Sequence, residues 1–231
     1  MESTNVAILK FEEKLDTEEL QCFRGAIVNL VGKENVAFHN HLANGKVHYT
    51  YPLVQYKLID GHVAITGIGG ATAAVTNMAS KFPCQLSIGK KSMNFHLYSC
   101  TLKPYTPIAE TKPKLYTIKN YIALTDENFK KYHSILALTD KITYLENILI
   151  GNILSFFKGI GYHAEERIFC AITSLEGPNA KYYKGVKFDV FDISFVSNIE
   201  LPSYISLGKS SSIGFGVLKQ EVLPERFENY K

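Results

Sequence analysis

The chain has 231 residues, 46% of them hydrophobic and 20% charged, with a formal net charge of +3. That balance excludes a disordered or low-complexity polypeptide, and the length suffices for one large or two small domains with real cores. The mild positive charge permits a nucleic-acid partner without requiring one.

The order of elements begins with a short apolar strand over 6–10. Asp16 and Glu19 have capping-box spacing and open a helix in which Leu20, Phe23, Ile27, Leu30 and Val31 form one stripe, stopped at Gly32. Strands follow at 48–58 and 63–68, joined by the Asp60-Gly61 turn. The Ala- and Thr-rich run 69–81 is compatible with a second helix. Strands at 85–88 and 94–103, with a turn at Gly89-Lys90-Lys91, close the unit. The order β, α, β, β, α, β is the ferredoxin-like arrangement, a common platform for RNA. No carboxylate occurs between Asp60 and Glu110, whereas Lys81, Lys90, Lys91 and Lys103 fall inside, so this half-domain is expected to present a positive face.

The proline-rich stretch KPYTPIAETKPK, 103–114, has neither helical nor strand period and reads as a linker. Beyond it come a strand at 115–122, a short helix near 126–132 and the clearest helix, 140–158, with Ile142, Leu145, Leu149, Ile153 and Phe156 in register and Gly159 at its stop. Strands at 164–174 and 187–197 follow, the second changing phase at Val190-Phe191, which predicts a bulge or a break. No internal repeat is visible, so any duplication is structural only. The four cysteines show neither a CxxC pair nor metal-ligand spacing and read as reduced thiols of a cytoplasmic protein, with no metal and no cofactor expected. The N-terminus turns acidic before a signal core forms, and no apolar run approaches the ~20 residues of a membrane span.

Two stretches carry candidate chemistry. The first, 36–57, holds His39, His41 and His48 with three tyrosines, bracketed in its second half by Lys46 and Lys57. An imidazole titrates near ~6.5, so a close pair can supply acid and base at neutral pH. On extended backbone the i, i+2 spacing of His39 and His41 points both rings to one side, and Tyr49, Tyr51, Gln55 and Lys57 share a strand face. On spacing alone, loop histidines with satisfied hydrogen bonds remain slightly the better reading. His62, His96, His133 and His163 are isolated and read as structural. The second stretch, 201–218, sets Gly208, Gly214 and Gly216 around Lys209, Ser210, Ser211 and Ser212 before an apolar strand. Glycines let a backbone approach a ligand, and N–H groups with hydroxyls suit phosphate oxygens. It is not a P-loop, because Ser203 stands where the first glycine belongs and a strand follows.

FRGAIVNL (23–30), HNH (39–41) and YPLVQYK (51–57) resemble the N-terminal half of CRISPR-associated endoribonucleases of the RAMP superfamily, which process repeat RNA. NILSFFKGIG (152–161) and LPSYISLGKSSSIGFG (201–216) resemble the C-terminal half. The resemblance implies an α+β pair of ferredoxin-like βαββαβ domains, 1–103 and 115–231, around the linker 104–114. It also implies metal-independent cleavage of precursor RNA within its repeats by 2′-OH attack. His41, with His39 as its partner, then supplies acid and base, Tyr49 orients the 2′-OH or a phosphate, and Lys33 or Lys46 offsets developing charge. RNA contact falls to Lys46, Lys57, Gly208, Lys209, Ser210, Ser211, Ser212, Gly214 and Gly216. Repeat RNA is the implied partner, with CRISPR effector subunits and a second copy of the chain as further candidates. The chain departs from the family at Ile213, where a basic residue is common, which leaves Lys209 as the loop's one cation. The competing readings are a non-catalytic RNA-binding subunit of an effector complex and a globular protein with no RNA role.

Overall fold

The computed structural model describes residues 3–32, 36–38, 51–183 and 185–224. The chain forms two compact units: Met1–Thr106 with Ser212–Gly214, and Pro107–Ser211 with the chain from Phe215 onward.

In the first unit, β1 (Thr4–Lys14), α1 (Leu20–Val31), β2 (Val54–Ile59), β3 (His62–Ile68), α2 (Thr72–Met78), β4 (Cys84–Ile88), β5 (Lys91–Phe95) and β6 (Leu97–Tyr105) follow one another. The main sheet runs β2-β3-β1-β6 with every pair antiparallel, the ferredoxin-like order. The predicted strand over 94–103 is two strands: β5 pairs with β4 as a separate hairpin, and β6 alone enters the main sheet. The Glu19 carboxylate accepts the Asp16 N–H at 3.1 Å, so the capping signal acts as read, although the first turn is 3-10. Phe23 and Ile27 of α1 are buried, and Phe23 meets Phe11, Phe95 and Tyr56 edge-on or tilted, with centroids 5.2–6.1 Å apart. Such aromatic pairs add roughly 0.5–1.5 kcal/mol beyond their buried area. A Cβ on Gly67 would lie 2.7 Å from Val75, so glycine there is what lets α2 close on β3. The Asp60-Gly61 turn has both residues at positive φ, 53° and 80°, the backbone of a two-residue hairpin. The expected positive face is partly neutralised from a distance in sequence, since Lys91 pairs with Glu19 at 3.0 Å.

The second unit contains β7 (Ala109–Tyr121), α3 (Asp126–Ser134), α4 (Leu138–Gly159), β8 (Cys170–Tyr183), β9 (Val186–Ile199) and β10 (Val217–Glu221), with sheet order β10-β7-β9-β8, again all antiparallel. Its order repeats that of the first unit strand for strand. Its connectivity does not: two helices follow the first strand, and residues 200–216, where the second helix of a βαββαβ unit belongs, contain no helix. The glycine-rich stretch occupies that place. Leu145, Leu149, Ile153, Phe156 and Phe157 bury one stripe of α4, each worth roughly 1.5–3 kcal/mol of apolar burial. The helix runs through Gly159, and the positive φ that ends it belongs to Gly161, 76°.

Two further expectations are corrected. The proline-rich segment is not an irregular linker over 103–114, because β6 reaches Tyr105 and β7 begins at Ala109, leaving 106–108 between them. An irregular register between Ala109 and Lys114 accommodates the sequence that looked non-periodic. Strand β8 starts later and extends far beyond 174, to Tyr183, through a register shift between Glu176 and Asn179. That shift lies opposite Phe191, where β7 is also out of register and where Val190 and Phe191 are buried in succession. The predicted phase change is therefore a bulge in the neighbouring strands and not a break in β9.

Candidate nucleic-acid interface

The loop between β9 and β10 is held by backbone hydrogen bonds before it is available to any ligand. Tyr204 N donates to Leu218 O at 2.7 Å, Leu218 N to Ile205 O at 2.9 Å and Leu207 N to Gly216 O at 2.9 Å. Gly216 N donates to Asn120 O and Lys209 N to Ile122 O, both at 3.0 Å. Ile205 and Leu207 are fully buried. The glycines answer to this packing. A Cβ on Gly216, φ 65°, would lie 1.9 Å from Leu207 O, and one on Gly208, φ 86°, would lie 2.6 Å from the Tyr121 ring. Close approach is why they are glycine, as expected, but what they approach is protein.

Three loop residues, Ser212–Gly214, group with the first unit. Ser212 O accepts the Tyr56 N–H at 3.0 Å, and Ile213 bridges Tyr56 in parallel while only 4% exposed. A Cβ on Gly214 would meet Leu20 at 2.7 Å. The apolar residue at 213 is thus a core position, and a cation there would be buried. Ser211 is also buried, whereas Gly208, Lys209, Ser210 and Ser212 are half-exposed.

Lys209 connects the loop to a surface that sequence reasoning missed. Its ammonium lies 4.9 Å from the centroid of the Phe188 ring and 3.3 Å from the Asp126 carboxylate. Phe188 belongs to the β8–β9 hairpin, which is also anchored by Tyr183 against Phe215 of the loop at 5.5 Å. Beyond these contacts the hairpin exposes Lys181, Tyr182 and Lys187, with Tyr182 74% exposed. Lysines flanking an exposed aromatic ring suit single-stranded nucleic acid, the ring stacking on a base and the cations lying along phosphates. The signal, KYYKGVKF around Gly185, is present in the sequence, but 175–186 falls between predicted strands and reads there as a connection. At the base of the hairpin Asn120, φ 52°, donates its N–H to Asp192 at 2.7 Å and accepts a hydrogen bond from Lys181, while Lys119 pairs with Asp192 at 2.9 Å. The hydrogen bond to Asp192 raises the Lys119 pKa above the ordinary lysine value and keeps it charged.

In the first unit, Lys33, His39, His41, Lys46 and Tyr49 lie outside the described residues. Their segment is flanked by Phe38 and Tyr51, both buried. Lys57, expected as an RNA contact, is instead 0% exposed, which corrects that expectation because a buried ammonium cannot meet a phosphate. Its ammonium donates to Gln55 Oε1 at 2.8 Å, and Gln55 Nε2 donates to Tyr51 Oη at 2.9 Å. Burial holds the Lys57 pKa well below the usual lysine range. Three of the isolated histidines bond protein groups: His62 Nδ1 lies 2.9 Å from Glu12 O, His96 pairs with Glu13 at 2.9 Å and His133 with Asp189 at 2.8 Å. Among the described residues no helix is long and apolar enough to cross a membrane.

Comparison with known proteins fits both units. Residues 3–106 match the family model of the Cas6b N-terminal domain, and residues 108–221 that of the Cas6b C-terminal domain. A protein of Methanocaldococcus jannaschii named "Uncharacterized protein MJ0978" is 38% identical over 109 residues, 47% of this chain and 73% of the relative. A solved structure described as "Crystal structure of Cas6b" superposes with a TM-score of 0.82 at 24% identity, covering 95% of this chain and all of that one. Another, "Crystal structure of CRISPR RNA processing endoribonuclease Cas6b", gives 0.73 at 22% identity with the same coverage. Two ferredoxin-like sheets with a glycine-rich loop before the last strand put the chain in the CRISPR repeat-processing, RAMP-type class. Within that class it belongs to the Cas6b family, the family of the processing endoribonuclease just described.

Proposed function

We propose that this chain is an endoribonuclease that cuts CRISPR precursor RNA within its repeats without a metal ion. The observation that carries the reading is the match of both halves, in order, to Cas6b domains. The basic and aromatic hairpin beside Lys209 supports RNA as the ligand. In the proposed reaction the ribose 2′-oxygen bonds to phosphorus as its proton passes to a base. The P–O5′ bond then breaks as an acid protonates the leaving oxygen, giving a 2′,3′-cyclic phosphate (or its 3′-phosphate hydrolysis product) and a 5′-OH. His41 and His39 supply acid and base, a contribution of typically ~10²–10⁴-fold. Tyr49 orients the 2′-OH or a phosphate, and Lys33 or Lys46 offsets charge on the phosphorane. The half-exposed loop residues, Lys209 foremost, and the hairpin lysines contact the RNA, and burial removes Lys57 from that set. A cytoplasmic location, effector-complex subunits and a second copy of the chain as partners complete the reading.

The test is cleavage of an end-labelled cognate repeat RNA in excess EDTA, comparing wild type with His41→Ala and His39→Ala and with a substrate carrying a 2′-deoxy nucleotide before the cut. Cutting that persists in EDTA and is lost with His41→Ala and with the deoxy substrate is the expected result. Tight binding with no cutting by wild type would favour a non-catalytic RNA-binding subunit. Undiminished cutting by both variants would place the chemistry in another loop.

A further inference from the structure

We propose that the first unit carries a separate stacking site for an unpaired RNA base, centred on Tyr98 in β6. The site rests on the RNA-processing reading above, and lies on a strand distant in sequence from both the histidine and the glycine-rich stretches.

Strand β6 is one of the two edge strands of its sheet. Along it Lys10 is paired with Ser99 and Phe11 with Leu97, so Tyr98 is the extra residue of a bulge. In an unbroken ladder Tyr98 would stand opposite Phe11 and share its face, the one on which Phe11 meets Phe23. The bulge turns the ring to the other face, where it stacks on His62 with centroids 6.3 Å apart and planes 24° from parallel. The Lys10 ammonium lies 5.7 Å from the ring centroid. Lys10 and His62 rise from adjacent strands of the same sheet face, since Lys10 is paired with Ala64, two residues from His62. Despite these two contacts Tyr98 remains 67% exposed, so most of its side chain is within reach of a ligand.

The chemistry of this platform selects a base and not a phosphate. Asp60 takes up the Lys10 charge at 3.3 Å, and His62 Nδ1 is occupied by Glu12 O at 2.9 Å. What the site offers is a flat, pre-oriented π surface, which any unpaired base can cover. Phosphate contacts are available farther along the strand. Thr101 and Lys103 are exposed, and alternate with Ser99 on the face of Lys10. Lys103 is five residues from Tyr98, roughly 17 Å at ~3.3 Å per residue, a span of a few nucleotides. No residue of β6 is acidic. Tyr98 is projected outward by a local irregularity of the ladder.

The experiment uses the full chain and a cognate repeat RNA bearing 5-iodouridine, with binding followed by titration and photo-crosslinks mapped by mass spectrometry. Tyr98→Ala is expected to weaken binding by roughly 5-fold or more, the low end of what removing one stacked base costs. Tyr98→Phe keeps the ring and is expected to restore affinity. Leu136→Ala, at a 96% exposed position in the second unit, serves as the control that leaves it unchanged. A crosslink within 97–103 is expected. Wild-type affinity in Tyr98→Ala, or crosslinks confined to other peptides, would overturn the site while leaving the processing reading intact. Should wild type neither bind nor cut the repeat, the processing reading fails. An iodinated oligouridylate then decides the site, since absence of a crosslink at Tyr98 overturns it and a crosslink there sustains it.

Discussion

Gly216→Ala separates the two jobs a glycine-rich loop can have. At φ 65° an alanine costs about 1–2 kcal/mol in backbone strain. Its Cβ would fall 1.9 Å from Leu207 O, and contacts under 3.0 Å are essentially never seen, so the two segments must part by about 1.1 Å (3.0 − 1.9). Parting them stretches Leu207 N→Gly216 O and Gly216 N→Asn120 O, now 2.9 and 3.0 Å, beside the buried Leu207. A buried group left unsatisfied costs about 1–3 kcal/mol. The total, about 2–5 kcal/mol, should appear as a drop in melting temperature of about 4–20 °C. Gly151→Ala, inside α4 with nothing within 4 Å of its Cβ, is the matched control and should gain about 0.5–1 kcal/mol. Thermal melting and urea titration of the three proteins, with repeat-RNA titration alongside, measure both effects. An unchanged melting curve combined with weakened RNA binding would refute the reasoning, because the glycine would then serve the ligand.

Lys57→Met should raise stability by about 1–3 kcal/mol near neutral pH, because methionine carries none of the desolvation cost that burial imposes on the lysine. The folded-state pKa of Lys57 lies below the unfolded value of 10.5, so between the two the unfolded chain binds more protons and wild-type stability climbs with pH. The advantage of the methionine variant should therefore shrink as pH approaches 10.5, and urea melts at pH 7 and pH 10 test this. A methionine variant less stable at both pH values would mean that the lysine's hydrogen bonds outweigh its burial. Lys181→Ala with Lys187→Ala should lower the slope of log affinity against log salt by about 0.7 for each phosphate the lysines no longer neutralise, read by RNA titrations between low and moderate salt. An unchanged slope would put the hairpin outside the interface. Tyr116→Phe removes the acceptor of the Leu201 N–H at 2.8 Å and the donor to Ile199 O at 3.0 Å. It should cost about 1–3 kcal/mol in a denaturant titration, and a neutral result would mean that the freed groups find other partners.

Amphipathic period gives away α1 and α4 because a helix needs only local contacts and one apolar stripe, and both are continuous in sequence. The Asp60-Gly61 hairpin is legible for the same reason, its positive φ values being written in the residue types. The bulge near Phe191 shows as a broken alternation, but which strand carries it depends on register against β7 and β8, and no local pattern encodes register. The proline-rich run conceals two strand ends because irregular pairing leaves no period. Residue type alone misplaces Lys57 and leaves Ile213 unexplained. Lysine is seldom fully buried, and the apolar residue at 213 makes sense only once the loop is seen to return to Tyr56.

By itself, then, the amino-acid order specified two α+β units, their helices, the turn glycines and a membership of the CRISPR repeat-processing class. These are properties of short segments, or of motifs kept in linear sequence. The three-dimensional fold alone decided that the loop glycines are packed against protein, that Lys57 is interior, and that Lys209 and the KYYKGVKF hairpin form one surface. It alone also showed Tyr98 turned out beside His62 and Lys10. These depend on strand register and close packing, several of them between residues tens of positions apart, and such contacts exist only after the chain has folded.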